Sequence, residues 1–196
     1  EYFADSKVVD EDGKLKVVFH GTEEEFNEFK ANDFLSEANG ASQIKGYFSE
    51  DEEYAERYGN TKAYYLNITN PLIMDGDAKT LDEWTKFFAK NGINNVIFDS
   101  SVTGVNGSKD TLKGANSNGK VYYAFYEIFD TENIWHGDGN VTEKIAAAGY
   151  DGIQTNDEYE KAWIPFDSKQ IKRTDNLNPT NDSDIRYSKK LGEIEQ

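Results

Sequence analysis

The sequence predicts an α+β protein built on antiparallel strands. Short apolar runs alternate with a few helical patterns, and no regular strand–helix–strand rhythm connects them. The 12 Tyr and 12 Phe favour a β-rich interior over a helical bundle, because aromatic side chains are enriched in strands. At 196 residues, with 37% hydrophobic content, the chain is expected to form one domain over residues 1–196.

The clearest elements follow from apolar periodicity and from start and stop residues. An amphipathic helix is predicted at Leu81–Gly92, and a capped helix followed by a strand at Thr142–Ile153. Ser49 is predicted to cap an acidic helix that Gly59 ends. Strands are predicted at Val17–Thr22, Ala63–Ile68 and Val96–Asp99. Val121–Phe129 is interpreted as a strand or a buried helix, and its tyrosine and phenylalanine content favours the strand.

The remaining segments are polar. Residues 1–16 form a lead-in, residues 100–119 are rich in Ser, Gly and Asn and predict a flexible surface insertion, and residues 174–196 form an extended tail. Because the chain begins with Glu1 rather than Met, we expect it to be processed or cut from a longer protein.

Composition excludes several functional classes. The net charge of −16, from 37 acidic and 21 basic residues, disfavours unaided binding to phosphate backbones or anionic membranes. Lys169, Lys172 and Arg173 are the candidates for a small basic patch. Absence of cysteine excludes thiolate catalysis, the two histidines lack metal-ligand spacing, and no apolar run approaches a membrane span.

Three separate segments contain the candidate site residues. VVFHGT at Val17–Thr22 is an apolar strand that brings His20 to its end, where Gly21 allows close approach to the backbone. GYFSEDEEYAERYG places Tyr47 at the end of a strand and Tyr58 eleven residues later, in a helical turn. The third, GYDGIQTNDEYEKAWIPFDSKQIK, has two short strands around a polar turn.

Together these segments resemble the ADP-ribosyltransferases of the histidine–tyrosine–glutamate type, especially the domains embedded in polyproteins of phages and mobile elements. The combination of HGT, GYF with a second tyrosine, and YDGI…WIPF…QIK carries the resemblance, and the NP…DIRYS tail agrees with it. The resemblance implies split antiparallel β-sheets with flanking short helices, NAD as substrate, and the contact residues His20, Gly21, Thr22, Tyr47, Phe48 and Tyr58.

The resemblance also implies a role for each residue. The imidazole of His20 would bind the adenine-side ribose, and the backbone of Gly21 would pair with the nicotinamide carboxamide. Tyr47 and Tyr58 would bracket the cationic nicotinamide ring. Thr22 is interpreted as a helix cap, with a phosphate-side contact as the alternative.

One position departs from the family pattern. Alignment on WIPF puts Ala162 where family members carry the catalytic glutamate, which stabilises positive charge on the ribose. Three interpretations remain open: an engineered replacement of glutamate, a shifted register in which Glu160 or Glu158 acts, or a natural NAD-binding relic. Glu160 would lie on the same strand face, about 6–7 Å further along.

The expected function is mono-ADP-ribosyl transfer from NAD to a protein or nucleic-acid acceptor, lost here if Ala162 replaces the glutamate. The alternative is a non-catalytic module that binds NAD or a partner, and NAD hydrolysis is a third hypothesis. We expect a cytoplasmic or cell-delivered protein without a membrane anchor, either monomeric or part of a larger polyprotein.

Overall fold

A computed structural model describes residues 2–29, 46–75, 77–96, 122, 128, 141–156 and 161–186. Several sequence predictions lie partly or wholly outside this part of the chain. These are the insertion at 100–119, Glu158, Glu160, the end of the tail beyond 186, and most of Val96–Asp99 and Val121–Phe129.

Seven strands and three α-helices have described bounds, and Ile128 is a further helical residue. The strands are β1 (Val18–Thr22), β2 (Phe48–Ser49), β3 (Asn60–Leu66), β4 (Pro71–Asp75), β5 (Gly152–Asn156), β6 (Lys161–Pro165) and β7 (Ile171–Arg173). The helices are α1 (Glu52–Glu56), α2 (Leu81–Lys90) and α3 (Val141–Ala147), and a 3-10 turn spans Ser168–Gln170. The α+β prediction is confirmed.

The strands form one sheet, and the shortest strand lies at its centre. The order is β4-β5-β6-β2-β1-β3-β7, with all neighbours antiparallel except the parallel pair β4 and β5. The two halves, β4-β5-β6 and β1-β3-β7, meet only through β2, which has two residues. In β1, Phe19 pairs with Ser49 of β2, and on the other side Ser49 pairs with Ala162 of β6. A junction of two residues in β2 therefore joins the halves into one continuous sheet.

A separate apolar core covers each face of the sheet. One core lies under the β4-β5-β6 half, where α2 packs through Trp84 and Phe88 against Leu72, Ile153 and Ile164. The other, on the opposite face, contains the aromatic side chains of Phe29, Phe48, Tyr64 and Trp163, together with Val18 and Leu66. Because side chains alternate along a strand, adjacent residues of β2 and β6 serve different cores.

The prediction of a helix after Ser49 holds, with a correction at its start. Ser49 was expected to cap it, but the N-cap is Asp51, whose side chain accepts hydrogen bonds from the amides of Glu53 and Tyr54. Ser49 is instead a strand residue whose Oγ accepts from the amide of Asp51 at 2.9 Å. The sheet ladder takes Ser49 and the second favourable cap starts the helix.

The other helices agree with their apolar patterns. A capping box between Thr80 and Glu83 begins α2, which buries Trp84 and Phe88 as predicted. Ile128, one of two described residues in Val121–Phe129, is helical and buried, so the strand prediction is wrong at that residue. Its burial beside α2 explains its apolar character without a strand.

Glu50 anchors β6 to β2 and to the lead-in. Its carboxylate accepts a hydrogen bond from Trp163 Nε1 at 2.9 Å and contacts the ammonium groups of Lys16 at 2.7 Å and Lys161 at 3.3 Å. Burial alone would raise the pKa of the Glu50 carboxyl, but these donors together hold that pKa below its ordinary value. This carboxylate is therefore fully engaged in structure.

The final turn and tail are tied down by two polar side chains. Gln170 bonds the backbone of Phe166, Asp167, Asn67 and Asp151, and so braces the final turn. Lys172, expected in a basic patch, is only 1% exposed. Its ammonium donates to backbone carbonyls of the tail at Asp182 and Asp184, and burial lowers the pKa of this amine.

Arg173 also belongs to an internal pairing. Its guanidinium forms an ion pair with Asp175 at 2.6 Å, two residues further along the chain. With Lys172 buried and Arg173 paired, the predicted basic patch does not form, because the tail supplies the partners for both cations.

We expect Gly59→Ala to destabilise the fold more than Gly92→Ala. Both glycines have positive φ, 125° and 77°, but a Cβ at Gly59 would lie 2.6 Å from the carbonyl carbon of Thr22, whereas one at Gly92 meets nothing within 4 Å. Gly92→Ala should cost about 1 kcal/mol of unfolding free energy and Gly59→Ala at least ~1 kcal/mol more. Denaturant unfolding measures both, and equal losses would contradict the close packing of α1 on β1.

We expect Glu50→Gln to lower the unfolding free energy at pH 7 and to match the unmodified chain at low pH. A depressed folded-state pKa contributes stability above the ordinary value of 4.5, and that contribution is lost as pH falls through the folded-state pKa. Urea unfolding between pH 7 and 3 tests this, with Glu56→Gln on the exposed side of α1 as the charge control. A pH-independent difference for Glu50→Gln would contradict the ion-pair account.

Candidate functional site

The junction between β1 and β2 brings His20 close to the backbone of Tyr47. His20 lies in the middle of β1 rather than at its end, and its Nδ1 is 2.9 Å from the carbonyl oxygen of Tyr47. A carbonyl oxygen can only accept a hydrogen bond, so Nδ1 carries the proton. In the neutral imidazole, Nε2 is then the nitrogen without a proton.

Aromatic rings hold the imidazole of His20 in place. Its centroid lies 5.2 Å from those of Phe29 and Phe48, and 6.3 Å from that of Phe26. Phe48 itself is fully buried in the core with Tyr64 and Trp163. Its expected contact with NAD is therefore corrected: its side chain supports His20 from inside, because alternation along β2 turns it away from the face that bears Tyr47.

Gly21 is the point where α1 presses on β1. A Cβ at this position would lie 1.9 Å from the carbonyl oxygen of Ala55 and 3.4 Å from Tyr58 Cβ, so only glycine fits. Tyr58, just beyond α1, therefore stands beside Gly21. Its side chain is 60% exposed, with its ring 5.9 Å from that of Tyr54, and it offers an accessible aromatic face.

Thr22 ends β1 without starting a helix. Its Oγ1 accepts a hydrogen bond from the amide of Glu24 at 3.1 Å, which closes a short turn. Residues 23–29 contain no helix, so the expectation of a helix cap is corrected to a turn cap. The acidic residues at 23–25 are exposed to solvent and gain little from helical packing, which explains why the helix does not form.

Ala162, the second residue of β6, is buried at 0% exposure. It pairs with Ser49 on β2 and Thr155 on β5, so these three side chains form a row on one face of the sheet. Tyr47 lies on that same face, two residues before Ser49, and packs against the core beneath it. Position 162 is thus the diagonal neighbour of Tyr47.

No described carboxylate replaces the one expected at position 162. Glu50 follows Ser49, but its carboxylate bonds Trp163, Lys16 and Lys161 on the opposite face. Glu160, the candidate from a shifted register, lies outside the described residues.

Sequence inspection missed the two buried polar neighbours of Ala162. Ser49 and Thr155 are each only 1% exposed, and both occupy positions where the alternation of their strands places apolar residues. In GIQTN, Thr155 follows Ile153 by two and so shares its buried face. A polar residue at an inward position was the available signal, but only strand register shows that it faces residue 162.

The described residues contain neither a metal-binding cluster nor a membrane-spanning helix. Among them, no group of three or more His, Asp or Glu side chains is arranged to hold a metal ion. In the same ranges, no helix has the length and apolar character needed to cross a membrane.

Comparison with known proteins adds one finding. The model of a family described as ADP-ribosyltransferase in polyvalent proteins matches residues 10–181. No curated protein and no solved structure gives a significant match. The match covers every strand of the sheet, including the junction between β1 and β2. The chain therefore belongs to the family of ADP-ribosyltransferase domains found in polyvalent proteins.

Proposed function

We propose that this chain is an NAD-binding mono-ADP-ribosyltransferase domain whose turnover is limited by Ala162. The observation that carries the proposal is the hydrogen bond between His20 Nδ1 and the backbone carbonyl of Tyr47. This bond joins two of the segments expected to bind NAD. The fit of Tyr58 against Gly21 supports it from the other side.

The chain's own groups match the parts of NAD. His20 would bind a ribose hydroxyl, and Gly21, which lies beside Tyr58, would pair with the nicotinamide carboxamide through its backbone. The rings of Tyr47 and Tyr58 offer faces to the cationic nicotinamide, an interaction worth about 0.5–2 kcal/mol. Ala55 occupies the position where some relatives have a serine, so its side chain contributes no hydrogen bond to the carboxamide.

The transfer requires little covalent help from the protein. The glycosidic bond between ribose C1′ and the nicotinamide nitrogen breaks, and nicotinamide leaves as a neutral molecule with the bonding electrons. The ribose becomes oxocarbenium-like, and an acceptor oxygen or nitrogen then bonds to C1′ and releases its proton to solvent. A carboxylate beside the ribose stabilises this positive charge, and Ala162 provides none.

A second candidate is a non-catalytic module that binds NAD. It is favoured by one observation: Ala162 carries no carboxylate, and the carboxylate of Glu50 is held on the opposite face by three donors. Titration calorimetry with NAD, combined with an assay for nicotinamide, separates the candidates. Binding without release supports the module.

We expect Ala162→Glu to increase nicotinamide release from NAD by on the order of 10²-fold, the contribution of one charge-stabilising group at an active site. Ala89→Glu, on the exposed side of α2, adds the same charge away from the site and should leave the rate unchanged. Adding His20→Ala to Ala162→Glu should weaken NAD binding and reduce release.

The same assay tests the register of β6. If Glu160→Ala abolishes a basal release that Ala162→Glu does not raise, then Glu160 is the acting carboxylate. If neither change affects turnover while NAD still binds, the transferase proposal is wrong and the module remains. Chromatography of the products with and without candidate acceptor proteins separates transfer from hydrolysis.

A further inference from the structure

Thr155 presents an unexplained buried hydroxyl. The residue is 1% exposed, and its Oγ1 has no hydrogen-bond partner among the described residues. Native proteins seldom leave such a group unsatisfied, because it has lost its water without gaining a partner. The sheet register identifies what stands opposite: Thr155 pairs directly with Ala162.

A polar side chain at position 162 would come within reach of this hydroxyl. Directly opposed residues in an antiparallel pair have Cβ atoms about 4.5–5.5 Å apart. The methyl group of Ala162 has nothing to offer the Thr155 hydroxyl, whereas a carboxylate could accept its hydrogen. A hydroxyl that donates to a carboxylate makes a short, charge-assisted bond.

Ser49 adds a second donor on the other side of Ala162. Its Oγ already accepts from the amide of Asp51 at 2.9 Å, which leaves its own hydrogen to donate. Ser49 pairs with Ala162 as Thr155 does, so the two hydroxyls flank one position from neighbouring strands. This arrangement suits an acidic side chain and does nothing for an alanine.

We propose that Thr155, with Ser49 as second donor, is a positioning residue for a carboxylate at position 162. The site around Ala162 thus keeps the hydrogen-bonding groups for an acidic side chain that the present residue lacks. The inference rests on the proposed function for its kinetic consequence, whereas its effect on stability is independent of NAD.

The test is a double-mutant cycle that combines Thr155→Val with Ala162→Glu. In the unmodified chain, Thr155→Val removes an unpaired hydroxyl at nearly constant volume and should raise the midpoint of thermal unfolding by about 2–4 °C. In the Ala162→Glu chain, the same change removes a donor from the carboxylate and should lower the midpoint. The sign of the effect should therefore reverse.

Kinetics supply a readout that a merely structural role would not change. In the Ala162→Glu chain, Thr155→Val should reduce kcat for nicotinamide release about tenfold or more with KM for NAD unchanged. Since a donor to the charged form lowers the pKa of a carboxyl, its loss should move the acid limb of the pH–rate profile to higher pH. Thr155→Ser should restore both.

Thr61→Val is the matched control. Thr61 Oγ1 is also buried and unpaired among the described residues, but its partner across the ladder is Gly21. Its effect on the unfolding midpoint should be the same whether residue 162 is Ala or Glu.

An equal effect of Thr155→Val in both chains overturns the proposal, as does an Ala162→Glu chain that fails to fold. Loss of stability on Thr155→Val in the unmodified chain also overturns it. Reversal of sign without nicotinamide release keeps the positioning role and refutes the transferase function. Nicotinamide release without a reversal of sign keeps the transferase function and refutes the positioning role.

Discussion

The geometry of the site depends on the two-residue strand β2. The ladder between β1 and β2 consists of one register pair, Phe19 with Ser49, so the hydrogen bond from His20 to the Tyr47 carbonyl is a main polar link beside it. With a single register pair, this junction has the shortest pairing in the sheet, and both expected binding segments meet there.

Two functions are separated in this arrangement. The groups proposed to bind NAD come from β1, β2 and the end of α1, and the absence of a side chain at Gly21 lets α1 lie close to β1. The proposed charge stabilisation belongs to β6, where Ala162 leaves the two flanking hydroxyls without an acidic partner. Loss of one carboxylate can therefore suppress turnover while the groups expected to bind NAD stay in place. Glu50 reinforces the separation, since its ion pairs hold β6 in register on the opposite face.

The local sequence pattern predicted the helices and strands better than it predicted which strands pair. The apolar stripe of α2 was sufficient, because Trp84 and Phe88 recur at helical spacing and bury the same face. The cap of α1 was misplaced by two residues, since Ser49 and Asp51 are equally good caps and only the pairing of Ser49 with β6 decides between them. Thr155 could not be predicted, because its meaning depends on strand register, which pattern does not specify.

The central claim is that residues of β1, of the segment before β2 and of the end of α1 enclose one NAD molecule. A crystal structure of the unmodified chain with NAD tests it directly. The account predicts the nicotinamide ring between Tyr47 and Tyr58, with its carboxamide on the backbone of Gly21 and a ribose hydroxyl on His20 Nε2. Nicotinamide bound elsewhere, or a ring of Tyr47 that remains packed in the core with no ligand against it, would contradict the account.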